Sequence, residues 1–265
     1  MHSLTTHVGT LLREWRTSRR LSQLDLALEA NVSARHLSCV ETGKSAPSRD
    51  MIARLADAME MPLRERNALL VAAGFAAKYR ETELTTPEMA PVRRAIEFIL
   101  QHQEPYPAIV TNRHWEILLA NDATTRLFGL LRPGGARHMN VLHQIFDPAD
   151  MRSVIRNWDE VATDIIRHLH NQIALTPSDT KARALLEEIL DYPNVPERWR
   201  TRELGSAPQP LMNTVLGNDE FELRFFSTIT TFGTPHDITL DELRIECMFP
   251  ADEATAEFCR RAVSG

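Results

Sequence analysis

The sequence is poor in cysteine and has no long apolar run. Its 265 residues include three cysteines, Cys39, Cys247 and Cys259, and no two of them form a CxxC pair. A disulfide framework or a cysteine-rich zinc site is therefore not expected, and a reducing compartment is indicated. No stretch of about 18 consecutive apolar residues occurs, so no membrane-spanning helix is predicted. The first residues lack the charged start and apolar core of a secretory signal, and we expect a cytoplasmic protein.

Common catalytic signatures are also missing. The chain has no GxSxG, HExxH, P-loop or dinucleotide-binding GxGxxG pattern. The adjacent acids Glu187 and Glu188 would point to different faces of a helix, which makes them a poor acid–base pair. His168 and His170 are two residues apart, so on a helix their imidazoles diverge and do not share a metal ion. The sequence therefore predicts neither an enzyme nor a metal site.

The net charge of −6 is unevenly distributed along the chain. Residues 1–80 contain 12 Lys and Arg against 8 Asp and Glu, whereas residues 81–265 contain 18 against 28. A basic head on an acidic body is expected if only the head approaches the phosphates of a nucleic acid. With 43% apolar and 25% charged residues, a chain of this length predicts two globular domains.

The head has the spacing of a five-helix domain. Apolar residues recur at helical intervals from Val8 to Trp15, and a fifth helix is predicted near 64–73. Asn31 lies where the chain must turn sharply, and asparagine tolerates the left-handed conformation better than most residues. Gly43 is placed to end the third helix. The N-caps of the second, third and fourth helices are predicted at Ser22, Ser33 and Ser48.

The stretch Leu21–Lys44 resembles the phage-repressor-like helix-turn-helix family, of the xenobiotic-response-element or Cro-repressor type. Ala27 is the small residue that lets the helices of such a motif cross closely. The resemblance covers about residues 8–75 and implies an all-α, lambda-repressor-like domain that binds double-stranded DNA. It also implies an ion pair between Arg16 and Glu41.

In such a domain the third helix lies in the major groove and the second crosses the DNA backbone. Arg35, near the start of the third helix, is the best candidate for base reading because a guanidinium donates two hydrogen bonds to guanine. Ala34 suits a thymine methyl, and Ser38 can donate or accept. The predicted DNA-binding residues are Gln23, Ser33, Ala34, Arg35, Ser38, Thr42 and Lys44, of which the resemblance assigns Gln23, Thr42 and Lys44 to phosphate contacts.

The remainder of the chain predicts an α+β domain. The DNA-binding domain is predicted over 1–75, a polar linker over 76–90, and the second domain over 91–265. The second domain should contain antiparallel strands with helices on one side. The predicted helices are 91–103, Asn121–Gly129, one long amphipathic helix over 151–173, 179–190 capped by Ser178, and 252–262; the predicted strands are 108–111, 115–120, 211–216, 221–225 and 243–249.

This second domain resembles the PAS-like ligand-binding domain of MmyB-type transcription regulators. The residues that carry the likeness are 107–115, 118–123, 140–146 and 157–158, with Ala162 and the 185–199 region. The resemblance implies a small, largely apolar effector, with a fatty acid as the leading class, and no other cofactor. Tentative ligand-binding residues are Trp115, Trp158 and Trp199, for each of which core packing is the alternative.

The combined expectation is a ligand-responsive transcription regulator that binds a pseudo-palindromic operator as a homodimer. Arg113 or Arg167 could bind the carboxylate of a fatty acid. One alternative is a DNA-binding regulator whose second domain only dimerises. Another is an enzyme fused to a DNA-binding head. Operator sequence, direction of regulation and effector identity are left open by the sequence.

Overall fold

The computed structural model describes residues 7–201, 211 and 213–264. The chain divides into two compact units. The first contains the chain up to Thr82 together with two later segments, Gln172–Asp179 and Thr234–Asp241. The second contains Glu83–Asn171, Thr180–Gly233 and the chain from Glu242 onward.

The predicted five-helix head is confirmed. Ser22, Ser33 and Ser48 each accept a hydrogen bond from a backbone N–H three residues on, which satisfies an amide that the helix leaves free. Asn31 has φ +52° and Gly43 has φ +74°, as the two predicted turns require. The helices are α1 (Val8–Ser18), α2 (Gln23–Glu29), α3 (Ala34–Glu41), α4 (Arg49–Ala58) and α5 (Leu63–Ala72).

Helix α1 crosses α3 at very short range because residue 9 is glycine. A Cβ atom at Gly9 would lie 2.4 Å from the Val40 carbonyl oxygen and 2.7 Å from that of Glu41. Around this crossing the helices enclose an apolar core in which Leu12, Leu37 and Val40 are completely buried. The orientation of α3 therefore depends on α1 as well as on the turn that precedes it.

Hydrogen bonds hold the two later segments in the first unit. The Arg19 guanidinium donates to the Leu175 carbonyl oxygen at 2.9 Å. The Leu63 N–H, at the start of α5, donates to the Asp241 carboxylate at 3.0 Å. The Thr82 hydroxyl donates to Asp237 at 2.7 Å. Helix α5 has no side-chain cap of its own, so a residue far along the chain satisfies its first amide.

The rest of the described chain forms the predicted α+β, PAS-like fold with one antiparallel sheet in the order β2-β1-β5-β4-β3. Met212, inside the predicted strand 211–216, lies outside the described residues. Short 3-10 helices occur at Pro87–Met89, Met151–Val154 and Glu197–Arg200. The elements are α6 (Ala90–Gln103), β1 (Ala108–Thr111), β2 (Ile117–Ala120), α7 (Asp122–Leu131), α8 (Val141–Phe146), α9 (Trp158–Leu175), α10 (Thr180–Leu190), β3 (Asn213–Gly217), β4 (Glu222–Thr230), α11 (Ile238–Glu242), β5 (Arg244–Pro250) and α12 (Glu253–Ser264).

The prediction of one continuous helix over 151–173 is wrong. Met151–Val154 is a 3-10 helix, and α9 begins only at Trp158. Between them the Arg156 N–H donates to the Val215 carbonyl oxygen at 2.8 Å, and the Asn157 side chain accepts from the Val215 N–H at 2.9 Å. Because the Arg156 N–H bonds to β3, it cannot form the internal hydrogen bond that a continuous helix would require of it.

Two predicted helix ends also differ. Helix α7 continues past Gly129 to Leu131 and ends before Pro133, where no backbone N–H is available. Ser178 does not cap α10, which begins at Thr180. Its hydroxyl instead donates to the Glu65 carboxylate at 2.5 Å.

Candidate DNA-binding surface and ligand cavity

Helix α3 presents an exposed polar face opposite its buried residues. Leu37 and Val40 point into the core, whereas Arg35 and His36 are exposed. Within the part of the chain that the structure describes, Arg35 makes no hydrogen bond or ion pair, so its guanidinium is free to bind an external acceptor. The His36 ring lies 3.3 Å from the Ser45 hydroxyl.

The remaining predicted DNA-binding residues differ in their exposure and in the hydrogen bonds that they form within the protein. The Ser33 hydroxyl accepts from the His36 N–H as the helix cap, at 3.4 Å. Ala34 and Ser38 are half-buried. Thr42 is exposed and donates its hydroxyl to the Ser38 carbonyl oxygen at 2.8 Å, and Lys44 is exposed.

The implied Arg16–Glu41 ion pair is confirmed. Arg16 Nε donates to Glu41 Oε1 at 2.7 Å and Nη2 donates to Oε2 at 3.0 Å, while Nη1 donates to the Leu21 carbonyl oxygen at 2.8 Å. The Gln23 amide donates to Glu41 Oε2 at 2.8 Å. Burial alone would raise the pKa of Glu41, but the hydrogen bonds from Arg16 and Gln23 hold it below its usual value. This network ties α1, the start of α2 and the end of α3 together.

The second unit contains a cavity of about 300 Å³. One face of the sheet forms one wall, and residues of α7, α8 and α9 form the others. Strand pairing places Ile109, Glu246 and Ile229 side by side on the cavity face. Because side chains alternate along a strand, Met248 and Ser227 form the next row. The cavity is therefore mostly apolar, with one carboxyl group in the middle of its sheet wall.

Trp115 and His168 form part of the opposite boundary. Their rings meet edge to face with centroids 5.7 Å apart. Trp115 has φ +65°, a conformation rare for a bulky residue, in a turn where Asn112 accepts hydrogen bonds from the His114 and Glu116 N–H groups. The structure maintains this backbone strain at the cavity, as is often seen at ligand sites.

The ionisable groups that line the cavity are Asp164, His168 and Glu246. Burial, with a smaller contribution from the charge of Arg244, lowers the pKa of His168 and keeps the imidazole neutral. Burial raises the pKa of Glu246, against a hydrogen bond from Ser227 that lowers it. Asp164 is paired with Arg167. None of the lining residues in the described ranges is lysine or arginine.

The three candidate tryptophans occupy different places. Trp115 lines the cavity, whereas Trp158 and Trp199 pack against each other with centroids 5.6 Å apart and both contact Phe146. The Trp158 indole N–H donates to the Ile145 carbonyl oxygen at 2.8 Å, and Arg152 lies 3.7 Å above its ring. These two rings thus have the packing contacts of a core cluster.

The two arginines predicted as carboxylate partners are both engaged elsewhere. Arg113 Nη1 lies 3.2 Å from Glu242 Oε1, and Arg167 pairs with Asp164. Neither lines the cavity.

A family model described as MmyB-like transcription regulator ligand binding domain matches residues 92–262, more than half of the chain. The chain belongs to this family. A second model, described as a helix-turn-helix domain, matches residues 7–69 of this MmyB-like protein. The two matched regions are thus a helix-turn-helix domain and a transcription-regulator ligand-binding domain.

No curated protein matches the MmyB-like chain. Among solved structures it is similar to an RNA-binding light-oxygen-voltage receptor, with 11% identity and a TM-score of 0.29. The match covers 96% of this chain and 62% of the receptor chain, so the protein spans about three fifths of the length of that structure. Over the described residues, no helix has both the length and the apolar character needed to cross a membrane.

Sequence reasoning missed Glu246 and Met248. The strand predicted over 243–249 is β5, in which Ile245 and Cys247 are buried, as is Leu243 just before it. Glu246 lies between Ile245 and Cys247, at the alternate position that a solvent-exposed face would occupy, yet it lines the cavity together with Met248. An acidic residue between apolar residues on a strand is the one sequence signal for this cavity position. A carboxylate on a solvent-exposed face gives the same pattern, so the signal does not distinguish the two.

Proposed function

We propose that this MmyB-like protein is a cytoplasmic transcription regulator whose DNA affinity responds to a small apolar effector. A homodimer binds two operator half-sites through α3, and each protomer holds one effector in the cavity of its second unit. The effector has an apolar chain of the size found in a fatty acid or a fatty alcohol. The observation that carries this proposal is a cavity of about 300 Å³ inside the region that matches a regulator ligand-binding family.

Support for the DNA-binding part comes from the exposed face of α3. The Arg16–Glu41–Gln23 network braces α3, while Arg35 extends from its first turn without an internal partner in the described ranges. A rigid helix with an unengaged guanidinium near its N-terminus fits base reading in a major groove. In this network the Gln23 side chain donates to Glu41 through its amide nitrogen and does not use its amide oxygen.

Support for the effector comes from the lining of the cavity. Its volume is at the lower end of the range for small-molecule sites, which are mostly apolar with a few polar groups. Ile109, Ile165 and Ile229 are among the apolar side chains that would contact a chain. Each buried methylene contributes about 0.8 kcal/mol before ordering costs, so a chain of about ten methylenes supplies useful affinity.

The test begins with full-length protein freed of lipid and with an operator selected from random double-stranded DNA. Unbranched fatty acids and alcohols with chains of about 10–18 carbons are titrated into the protein with and without operator. The proposal predicts that at least one compound binds below about 100 μM. It should change operator affinity, and operator should change its own affinity by the same factor.

The contrary result would be specific operator binding that neither lipid removal nor any compound alters. The second domain would then act only in dimerisation. Failure to select any preferred DNA sequence would remove the DNA-binding part of the proposal.

A further inference from the structure

The polar groups that line the cavity favour some polar end groups of an effector over others. Glu246 occupies the centre of the sheet wall, with Ile109 on one neighbouring strand and Ile229 on the other. Met248 follows it on the same face. Among the described residues, the Ser227 side chain forms a hydrogen bond with the Glu246 carboxyl group. A carboxyl group among apolar side chains retains unused hydrogen-bonding capacity toward the cavity.

Charges around the cavity disfavour a second carboxylate. The lining contains two acids, Asp164 and Glu246, and one imidazole that burial keeps neutral. Arg244 lies two residues before Glu246 on the same strand face, beyond the lining, and its guanidinium donates to the Leu243 carbonyl oxygen at 2.9 Å. An effector carboxylate beside Glu246 would lose its hydration without gaining a cation from the lining.

We propose that the effector presents a hydrogen-bond donor to Glu246, namely an amine, an amide N–H or a hydroxyl group, at the polar end of its apolar chain. This inference rests on the proposed function, because it assumes that the cavity is an effector site. An amine converts Glu246 to the partner of a buried ion pair, and a hydroxyl or amide donates to its carboxyl oxygen. Either arrangement gives the Glu246 carboxyl group a charge-assisted or neutral hydrogen bond in addition to the one with Ser227.

The experiment compares four dodecyl compounds that differ only in the end group: dodecylamine, dodecanamide, dodecanol and dodecanoic acid. Each is titrated into lipid-free full-length protein below its micelle concentration, and binding is followed by calorimetry. The variants are Glu246→Gln, which removes the acid but keeps its shape, and Glu257→Gln as a control. Glu257 is an exposed acid on α12 outside the cavity lining, so it reports nonspecific attraction of an amine to an acidic protein.

The expected result is that the amine binds at least about tenfold more tightly than the acid, with the amide and alcohol between them. Glu246→Gln should remove most of the preference for the amine, and Glu257→Gln should preserve it. The inference is overturned if dodecanoic acid binds as tightly as the donors in the unmodified protein, or if Glu246→Gln leaves the order unchanged. If none of the four binds, and no compound in the titration of chains of about 10–18 carbons binds either, the cavity is not an acyl-chain site and the proposed function itself fails.

Discussion

Two glutamates of this protein experience opposite surroundings. Glu41 is almost completely buried, yet Arg16 and Gln23 hold its pKa below the usual value because they hydrogen-bond the charged form. Glu246 faces a mostly apolar cavity, and burial raises its pKa against a hydrogen bond from Ser227 that lowers it. Local charge partners therefore decide whether burial leaves a carboxyl group ionised.

Replacement of Glu246 by glutamine should stabilise the ligand-free protein at neutral pH. Because the folded pKa lies above the ordinary value of 4.5, the unfolded chain ionises more readily and stability falls as pH rises through this range. The gain from Glu246→Gln should thus be present at pH 7–8 and vanish below about pH 4.5. Thermal unfolding of both proteins across this range measures it. His168 and Asp164 also line the cavity, but both residues are present in the two proteins, so they do not account for a difference between them. A gain that is largest at low pH would contradict the assignment.

Replacement of Arg35 by alanine should weaken specific operator binding by about 1–3 kcal/mol and nonspecific binding much less. The reason is that its guanidinium extends from the first turn of α3 without an internal partner in the described chain. Fluorescence anisotropy with operator and scrambled duplexes measures both affinities. Arg94→Ala, an exposed arginine on α6, is the matched control. Equal losses on both duplexes would instead assign Arg35 to phosphate contact.

At the scale of helices and strands, short-range signals determined where most elements begin and end. Ser22, Ser33 and Ser48 act on amides three residues away, so their role is visible in the sequence itself. The break before α9 depends on Val215, about 60 residues later, and the end of α7 on Pro133 rather than Gly129. Glu246 was not predicted for a related reason, because elements distant in sequence decide whether its side chain faces a cavity or solvent.

The close crossing of α1 and α3 gives a prediction at this scale. Gly9→Ala should destabilise the head by about 1–3 kcal/mol, because a Cβ there would overlap two backbone carbonyl groups that have little room to move. Gly129→Ala is the matched control, since a Cβ there meets nothing within 4 Å. In helix α7 alanine should stabilise by about 0.5–1 kcal/mol. Denaturant unfolding of both variants tests this pair, and the same sign of change for both would refute the argument.

Across the whole molecule, the sequence predicted the five-helix head, the five segments that form strands and the PAS-like class. These follow from periodicity and from turn residues such as Asn31 and Gly43, which act locally. What it did not predict is that Gln172–Asp179 and Thr234–Asp241 belong to the first compact unit. Single polar contacts such as Leu63 to Asp241 connect residues that no local pattern relates.

Dimerisation is expected because each head has one short recognition helix. Two heads bound to half-sites about one DNA turn apart would bind the operator more tightly than one head alone. Sedimentation velocity at micromolar concentration should show a species of twice 30.1 kDa, alone or with operator. A single 30.1 kDa species under both conditions would exclude the homodimer.

The later segments of the first unit also have a consequence for the order of synthesis. The ribosome makes the five helices first, but the residues that bond Arg19, Leu63 and Thr82 include Asp241 and are made much later. At about 5–20 residues per second, roughly ten to thirty seconds pass between the synthesis of Thr82 and the synthesis of Asp241. During that interval the nascent head lacks the amide partner at the start of α5. Its final stability is therefore acquired only when the chain has been translated through Asp241.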